Sequence, residues 1–220
     1  MIDKIVIKNL LPLVFTGMEE TEAIRSSQIW EQPPFVFERN CRLCIRAESG
    51  GGKSSLLSFI YGSRSDYKGD ILFDDIDARS ISIEQWCRIR SEAISMLPQD
   101  MGLFPELTVA QNIHLKNNRT KHKSDSEIRD MLARTGIAEK YDIRVRYLSI
   151  GQQQRVAFIR ALCQPFDFIF LDEPVSHLDA RNNKILADMV SDEARRQNSG
   201  IIATSVGNNL LLDDAQFISL

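Results

Sequence analysis

Apolar side chains occur along this chain in short runs, and the spacing within the runs switches repeatedly between two periods. Ile5–Ile7, Arg42–Ala47, Gly69–Asp75, Ala93–Leu97 and Gly200–Thr204 have the length and the bounding residues of strands. Phe166–Leu171 reads as a continuous apolar run, the pattern of a strand buried on both faces of a parallel sheet. Helical spacing alternates with these runs. Lys53–Tyr61 predicts a helix stopped by Gly62, and Ile83–Arg90 a shorter one. In Gln152–Cys163 the residues Val156, Ile159, Ala161 and Leu162 form an apolar side, and Asn182–Glu193 is helical as well. Strands alternating with helices imply an α/β layer fold. The stretch from about 108 to 150 interrupts the alternation with helical patterns and polar loops such as Asn117–Ser124, and reads as a second lobe inserted into the same domain. Within it the charges of Arg119–Lys123 read as a solvated loop.

Composition narrows the picture. The chain has 220 residues, 43% hydrophobic and 26% charged. That suits one domain, or one domain with two lobes, burying roughly 70% of the unfolded surface. A net charge of −3 gives no electrostatic reason to propose a nucleic-acid partner. No apolar run approaches the ~20 residues that span a bilayer, so no direct membrane insertion is expected. The N-terminal Met1–Ile7 segment is a short strand pattern without the cationic and apolar regions of a signal peptide, and the expected location is cytoplasmic. Cys41 and Cys44 form a CxxC, but no second pair or paired histidines complete a zinc site, and ordinary reduced cysteines are expected.

Two segments carry chemistry. Ala47-Glu-Ser-Gly-Gly-Gly-Lys-Ser-Ser55 joins a strand to a helix. Ser49, Gly50, Gly51 and Gly52 let backbone N–H groups turn inward around an anion, and the helix N-terminus adds its positive end. Lys53 is placed to reach the β/γ-phosphates of a nucleotide, Ser54 to hold Mg²⁺ through its hydroxyl, and Ser55 to contact the α-phosphate less strongly. Ala47 stands where the usual GxxxxGK[ST] pattern has glycine; it is small, and little damage is expected. The other segment, Phe168-Ile-Phe-Leu-Asp-Glu173, sets two carboxylates at the C-terminal end of a buried strand, the edge where open α/β sheets bind ligands. Asp172 is placed to orient Mg²⁺ through a water, and Glu173 to polarise an attacking water. The bland alternative is an acidic pair capping the turn before Pro174.

Beyond these, the ordered elements Met96-Leu-Pro-Gln-Asp100, Leu148-Ser-Ile-Gly-Gln152 and Val175-Ser-His-Leu-Asp179 resemble those of ABC-type ATPases over nearly the whole chain. The resemblance implies a P-loop NTPase core of RecA-like type, about 1–98 and 152–220, with an inserted helical subdomain at about 99–151 and an N-terminal antiparallel β subdomain. It implies ATP and Mg²⁺ as ligands, with Gln99 contacting the metal or the attacking water. It also implies that Ser149 and Gly151 of one chain close over the ATP held by another, and that Asp179 reaches across the same dimer. For Ser149 a plain N-cap is the bland reading, and both hold together. An aromatic stacking on adenine is expected upstream of the phosphate loop; Phe15 has the position, and an ordinary core residue of an N-terminal hairpin is the alternative.

The chain departs from the family at two places. Ile150 stands where glycine is usual, and Ser205 stands in the place of the switch histidine, which His114, His122 and His177 do not replace. Serine hydrogen-bonds a phosphate or water but carries no positive charge, so weaker coupling of sensing to hydrolysis is expected. Gln99–Asn112 is worded most like the branch serving lipoprotein release, macrolide-type export and the cell-division complex. There Leu103, Phe104 and Leu107 would border a groove for a separate membrane permease. The reading is an ATP-hydrolysing subunit of an ABC transporter, a homodimer on ATP binding, peripheral on the inner face of the membrane. Its alternatives are a subunit of the same fold with weak or no hydrolysis, or a non-transport ABC ATPase.

Overall fold

The computed structural model describes residues 1–30, 32 and 34–220 and builds them around two sheets of opposite kind. The first is antiparallel. In it β1 (Lys4–Pro12) lies between β2 (Phe35–Glu38) and β4 (Tyr67–Phe73), and the two-residue β5 (Ile76–Asp77) extends the far edge. The second is parallel, in the order β6 (Ile94–Leu97), β7 (Phe168–Asp172), β8 (Gly200–Ser205), β3 (Arg42–Arg46) and β9 (Gln216–Ser219). The helices are α1 (Glu22–Arg25), α2 (Lys53–Ile60), α3 (Ile83–Glu92), α4 (Val109–Thr120), α5 (Asp125–Arg134), α6 (Ile150–Leu162) and α7 (Ala180–Gln197).

The apolar alternation of the central strands divides two cores between the faces of the parallel sheet. All of β7 is buried; Phe168 and Phe170 join the core shared with the antiparallel sheet and α2, while Ile169 and Leu171 join the core shared with α4 to α7. Ile202 sides with the phenylalanines, Ile201 and Ala203 with the other face. Each fully buried side chain of this size stabilises the fold by roughly 1.5–3 kcal/mol, so displacing β7 would undo both cores together. Helix starts are fixed locally. Ser82, Thr108, Ser124 and Ser149 each accept a hydrogen bond from the N–H of the third helical residue, whose Gln or Glu side-chain oxygen accepts the cap residue's own N–H in return.

Several expectations need correction. β2, β5 and β9 are short edge strands whose few residues gave no periodicity to read. The Asn117–Ser124 loop is narrower, because α4 runs to Thr120 before Lys121 turns into the left-handed region at φ 54°. Nor is Arg119–Lys123 wholly solvated. Lys123 is buried against Glu193 of α7 at 2.6 Å, and His122 meets the same carboxylate at 2.8 Å. This tertiary pairing is invisible in a local charge count. β7 starts at Phe168 because Asp167 is drawn into contacts with the Ile2 N–H at 2.7 Å and Arg39 at 2.8 Å. The cysteines are free, and burial pushes the Cys41 thiol up to about 12, away from reactivity. Among the described residues no helix is long and apolar enough to cross a membrane.

Candidate active site

Parallel pairing brings four distant segments to one sheet edge. β3, β6, β7 and β8 all end on the same side, leading into the 47–52 loop, Gln99, Glu173 and the residues after Ser205. Register sets the fine alignment: Arg46 lies opposite Ser205, Asp172 opposite Thr204, and Leu97 opposite Leu171.

The 47–55 loop wraps inward. Lys53 is 5% exposed, and its ammonium donates to the carbonyls of Ala47 and Glu48, both at 3.0 Å, with a Glu173 carboxylate oxygen 4.0 Å away. The charge therefore sits in the middle of the ring where a phosphate chain would enter. Gly52 caps α2 at φ 92°, and a Cβ there would come within 2.9 Å of the Trp30 ring and 3.3 Å of Phe15. Trp30 also donates from Nε1 to the Gly51 carbonyl at 3.3 Å. Phe15 and Trp30 meet edge to face, at 6.4 Å between centroids, on the wall of a cleft of about 1130 Å³ that includes Ser49, Gly50, Gly51, Ser205 and Asn209. Phe15 ends a short 3-10 turn, Leu13–Phe15, is half-buried and borders the cleft. Trp30 is a wall residue that the sequence reading missed; it stands between Ile29 and Glu31 and has no motif of its own.

The acidic end is held as firmly. The Thr204 hydroxyl donates to Asp172 at 2.6 Å and accepts the Glu173 N–H at 3.1 Å. Gln154 of α6 donates to the Glu173 carbonyl at 3.1 Å. Between these partners Glu173 holds a left-handed backbone at φ 48°, a conformation that costs a non-glycine residue of order 1–3 kcal/mol. Thr204 and Gln154 were not anticipated; only the fold sets them beside residue 173. Ser54 donates to the Gln99 side-chain oxygen at 3.4 Å. Ser54, Gln99 and Asp172 are all oxygen donors, the type a hard cation such as Mg²⁺ prefers. Among the described residues there is no group of three or more His, Cys, Asp or Glu able to hold a metal alone, so such an ion would need phosphate oxygens as well. Ser55 accepts from Arg64 at 2.9 Å.

Ser205 differs from what its position suggests. It is 2% exposed and donates its hydroxyl to Asn209 at 2.6 Å. Asn209 is fixed in turn, its carbonyl accepting from Asn183 of α7 at 2.9 Å.

Ser149, Ile150, Gly151 and Asp179 form a separate surface. Among the described residues no hydrogen bond joins them to the 47–55 loop, and none of them borders the cleft. Ser149 caps α6, Ile150 is 53% exposed, and Asp179 caps α7 through the Asn182 N–H at 2.8 Å. That bond, with a further one from the Asn182 side chain, holds the Asp179 carboxyl below its ordinary range. A Cβ on Gly151 would stand 3.1 Å from the His177 carbonyl, so a larger residue there would push the loop after Glu173 away from α6 by a few tenths of an ångström. Gln154 completes that joint, donating to Ser176 at 3.2 Å and accepting the His177 N–H at 3.1 Å.

A glycine-rich loop on a parallel sheet, its lysine turned inward beside an acidic strand end, defines a P-loop nucleoside triphosphatase. Residues 32–176 match the ABC transporter family. The chain is 34% identical to the thiamine import ATP-binding protein ThiQ of Haemophilus ducreyi, over 76% of this chain and 79% of that one. It is 30% identical to the lipoprotein-releasing system ATP-binding protein LolD of Buchnera aphidicola, over 73% and 72% respectively. The fold superposes on the dimeric bacterial ABC transporter cassette MJ0796 with a TM-score of 0.79 at 21% identity, covering 98% of this chain and 94% of that one. The chain belongs to the ABC transporter family, as an ATP-binding and ATP-hydrolysing subunit.

Proposed function

We propose that two copies of this chain sandwich two ATP molecules, each copy gripping the triphosphate with residues 49–55 and the other closing over it with Ser149, Gly151 and Asp179. The observation that carries this reading is the separation of the two sets of groups, one folded into a cleft and the other exposed outside it. Lys53 binds the β/γ-phosphates, Ser55 supports the α-phosphate, and Phe15 packs against the base. Glu173 orients a water and accepts its proton as the water oxygen bonds to the γ-phosphorus; the bond to the β-phosphate oxygen breaks, leaving ADP and phosphate. Ser54, Gln99 and Asp172 would hold Mg²⁺, which supplies neutralisation of phosphate charge. Glu173→Gln tests the scheme: with Mg²⁺ and ATP the variant should sediment as a dimer that ADP does not support. A monomer under those conditions would remove the sandwich.

The helical lobe, taken as about 99–151 within a core of 1–98 and 152–220, carries Gln99 with it and transmits the change to a separate membrane permease, holding the subunit at the inner face of the cell membrane. Phe104 supports the contact, being 54% exposed on a groove beside Gln99; Leu103 instead packs on the lobe core. A second reading, slow turnover, is favoured by the engagement of Ser205 with Asn209. Ser205→His together with Asn209→Ala should then raise the rate of phosphate release, and an unchanged rate would dismiss it.

A further inference from the structure

The phosphate loop finds several partners for its carbonyls within itself and α2. Those of Ala47 and Glu48 accept from the Lys53 ammonium, and Glu48 takes the Gly51 N–H at 3.1 Å as well. The Gly52 carbonyl opens the α2 ladder by accepting from Leu56 at 2.9 Å. Gly51 stands one residue before the cap, outside that ladder. Its carbonyl is met from another part of the fold, by the Trp30 indole N–H at 3.3 Å.

Trp30 is a fixed post. Its backbone N–H donates to the buried Ser27 hydroxyl at 2.8 Å, and it bridges Leu10 of β1. It is 1% exposed, within the core shared by the antiparallel sheet and α2. With no free face the ring cannot stack on a base, so what it adds to nucleotide binding passes through its neighbours. The hydrogen bond to Gly51 has a directional consequence. A peptide unit is planar and trans, so its carbonyl and its N–H point opposite ways. Holding the Gly51 carbonyl towards Trp30 turns the Gly52 N–H away from it. That N–H has no protein acceptor among the described residues, and it stands at the N-terminus of α2, where helix dipole and unpaired donors favour an anion.

Resting on the reading that residues 49–55 grip the triphosphate, we infer that Trp30 is a positioning residue for that grip: its indole N–H holds the Gly51 carbonyl back and so presents the Gly52 N–H to the phosphate chain. The loop is flexible by composition, three glycines in a row, and a donor that must be ordered at each binding event costs affinity. The indole fixes it in advance.

The test follows that one N–H by NMR. Glycine follows glycine only at 50–51 and 51–52, so isotope labels on the glycine carbonyl carbon and amide nitrogen leave two peptide signals, those of the Gly51 and Gly52 N–H. In the full chain, saturating ADP with Mg²⁺ should move the Gly52 amide proton downfield as it bonds to phosphate. Benzothienylalanine at position 30 keeps the double ring and puts sulfur in place of the N–H. It should lose most of that shift and bind ADP roughly three- to tenfold more weakly by calorimetry, the size of one neutral hydrogen bond. Fluorotryptophan at the same position keeps the N–H and should keep both the shift and the affinity. Thermal melts identify an analogue that fails to fold, and Trp30→Phe, which also lacks the donor, then takes its place. A Gly52 shift that survives loss of the indole N–H, whether or not affinity falls, would overturn the inference and leave the grip of residues 49–55 intact. No Gly52 shift with ADP in the unmodified chain would overturn both.

Discussion

The loop at 47–55 and the stretch at 149–151 use similar residues, glycine and serine ahead of a helix, yet the fold treats them oppositely. The first is turned inward: Lys53 is buried, its ammonium held by two carbonyls, with Trp30 and Phe15 packed against Gly52. The second is turned outward, with Ser149 and Ile150 exposed and bonded only to their own helix start. What separates them is where the preceding segment ends. The 47–55 loop leaves a central strand of the parallel sheet, whereas Ser149 follows a short turn at Val145–Tyr147 outside it. Similar residues thus form an inward-turned loop in one place and an exposed helix start in the other.

The contrast breaks most sharply at Glu173, which belongs to the inward set. Glu173→Gln should lower phosphate release by roughly 10²–10⁴-fold while ATP binding persists, as fluorescence with a labelled nucleotide would record. A small loss would move the base elsewhere.

The contact that ties the α4–α5 corner to α7 comes next. Glu193 on α7 meets Lys123 and His122 at the corner between α4 and α5. Its burial opposes ionisation, but bonds from His122 and Lys123 and the charge of Arg196 hold its pKa at about 2. A carboxyl held below its unfolded value of 4.5 contributes stability above that pH and loses it as pH falls towards 2. Urea midpoints should therefore drop across that window, and Glu193→Gln should flatten the drop while costing about 3 kcal/mol at neutral pH by leaving the buried Lys123 with only the half-exposed Glu127 carboxylate at 3.6 Å. An unchanged acid slope would deny the Glu193 cluster its role.

For the cradle itself, Lys53→Ala removes a charged donor worth about 1.5–3 kcal/mol, so ATP affinity should fall roughly 10- to 150-fold by calorimetry. Ser149→Ala sharpens the other side of the contrast. Its cap is worth about 1 kcal/mol of stability, whereas ATP affinity of the monomer should not change. The ATP-dependent dimer should weaken by more than the cap explains; a melt shifted without any effect on sedimentation would reduce Ser149 to a cap alone.

Legibility followed the range of the forces involved. The loop at 47–55, the acidic pair and the buried strand before it were readable because neighbouring residues alone set their pattern. Edge strands β2 and β9 were not, since four residues against one neighbour leave little periodicity. Thr204 and Gln154 carry no local sign of their part at Glu173, and Lys123 looks like any loop lysine until Glu193 arrives from 70 residues away.

The chain's own order of residues therefore decided which segments are strands, which are helices, and which chemical groups stand at their ends, because those follow from side-chain period and backbone conformation over a few positions. Tertiary structure alone decided that Thr204 faces Asp172, that Ser205 is engaged by Asn209, and that Ser149 and Ile150 look out while Lys53 looks in. The physical reason is that register and layer packing bring together groups far apart in the chain, and nothing in their near neighbours encodes the meeting.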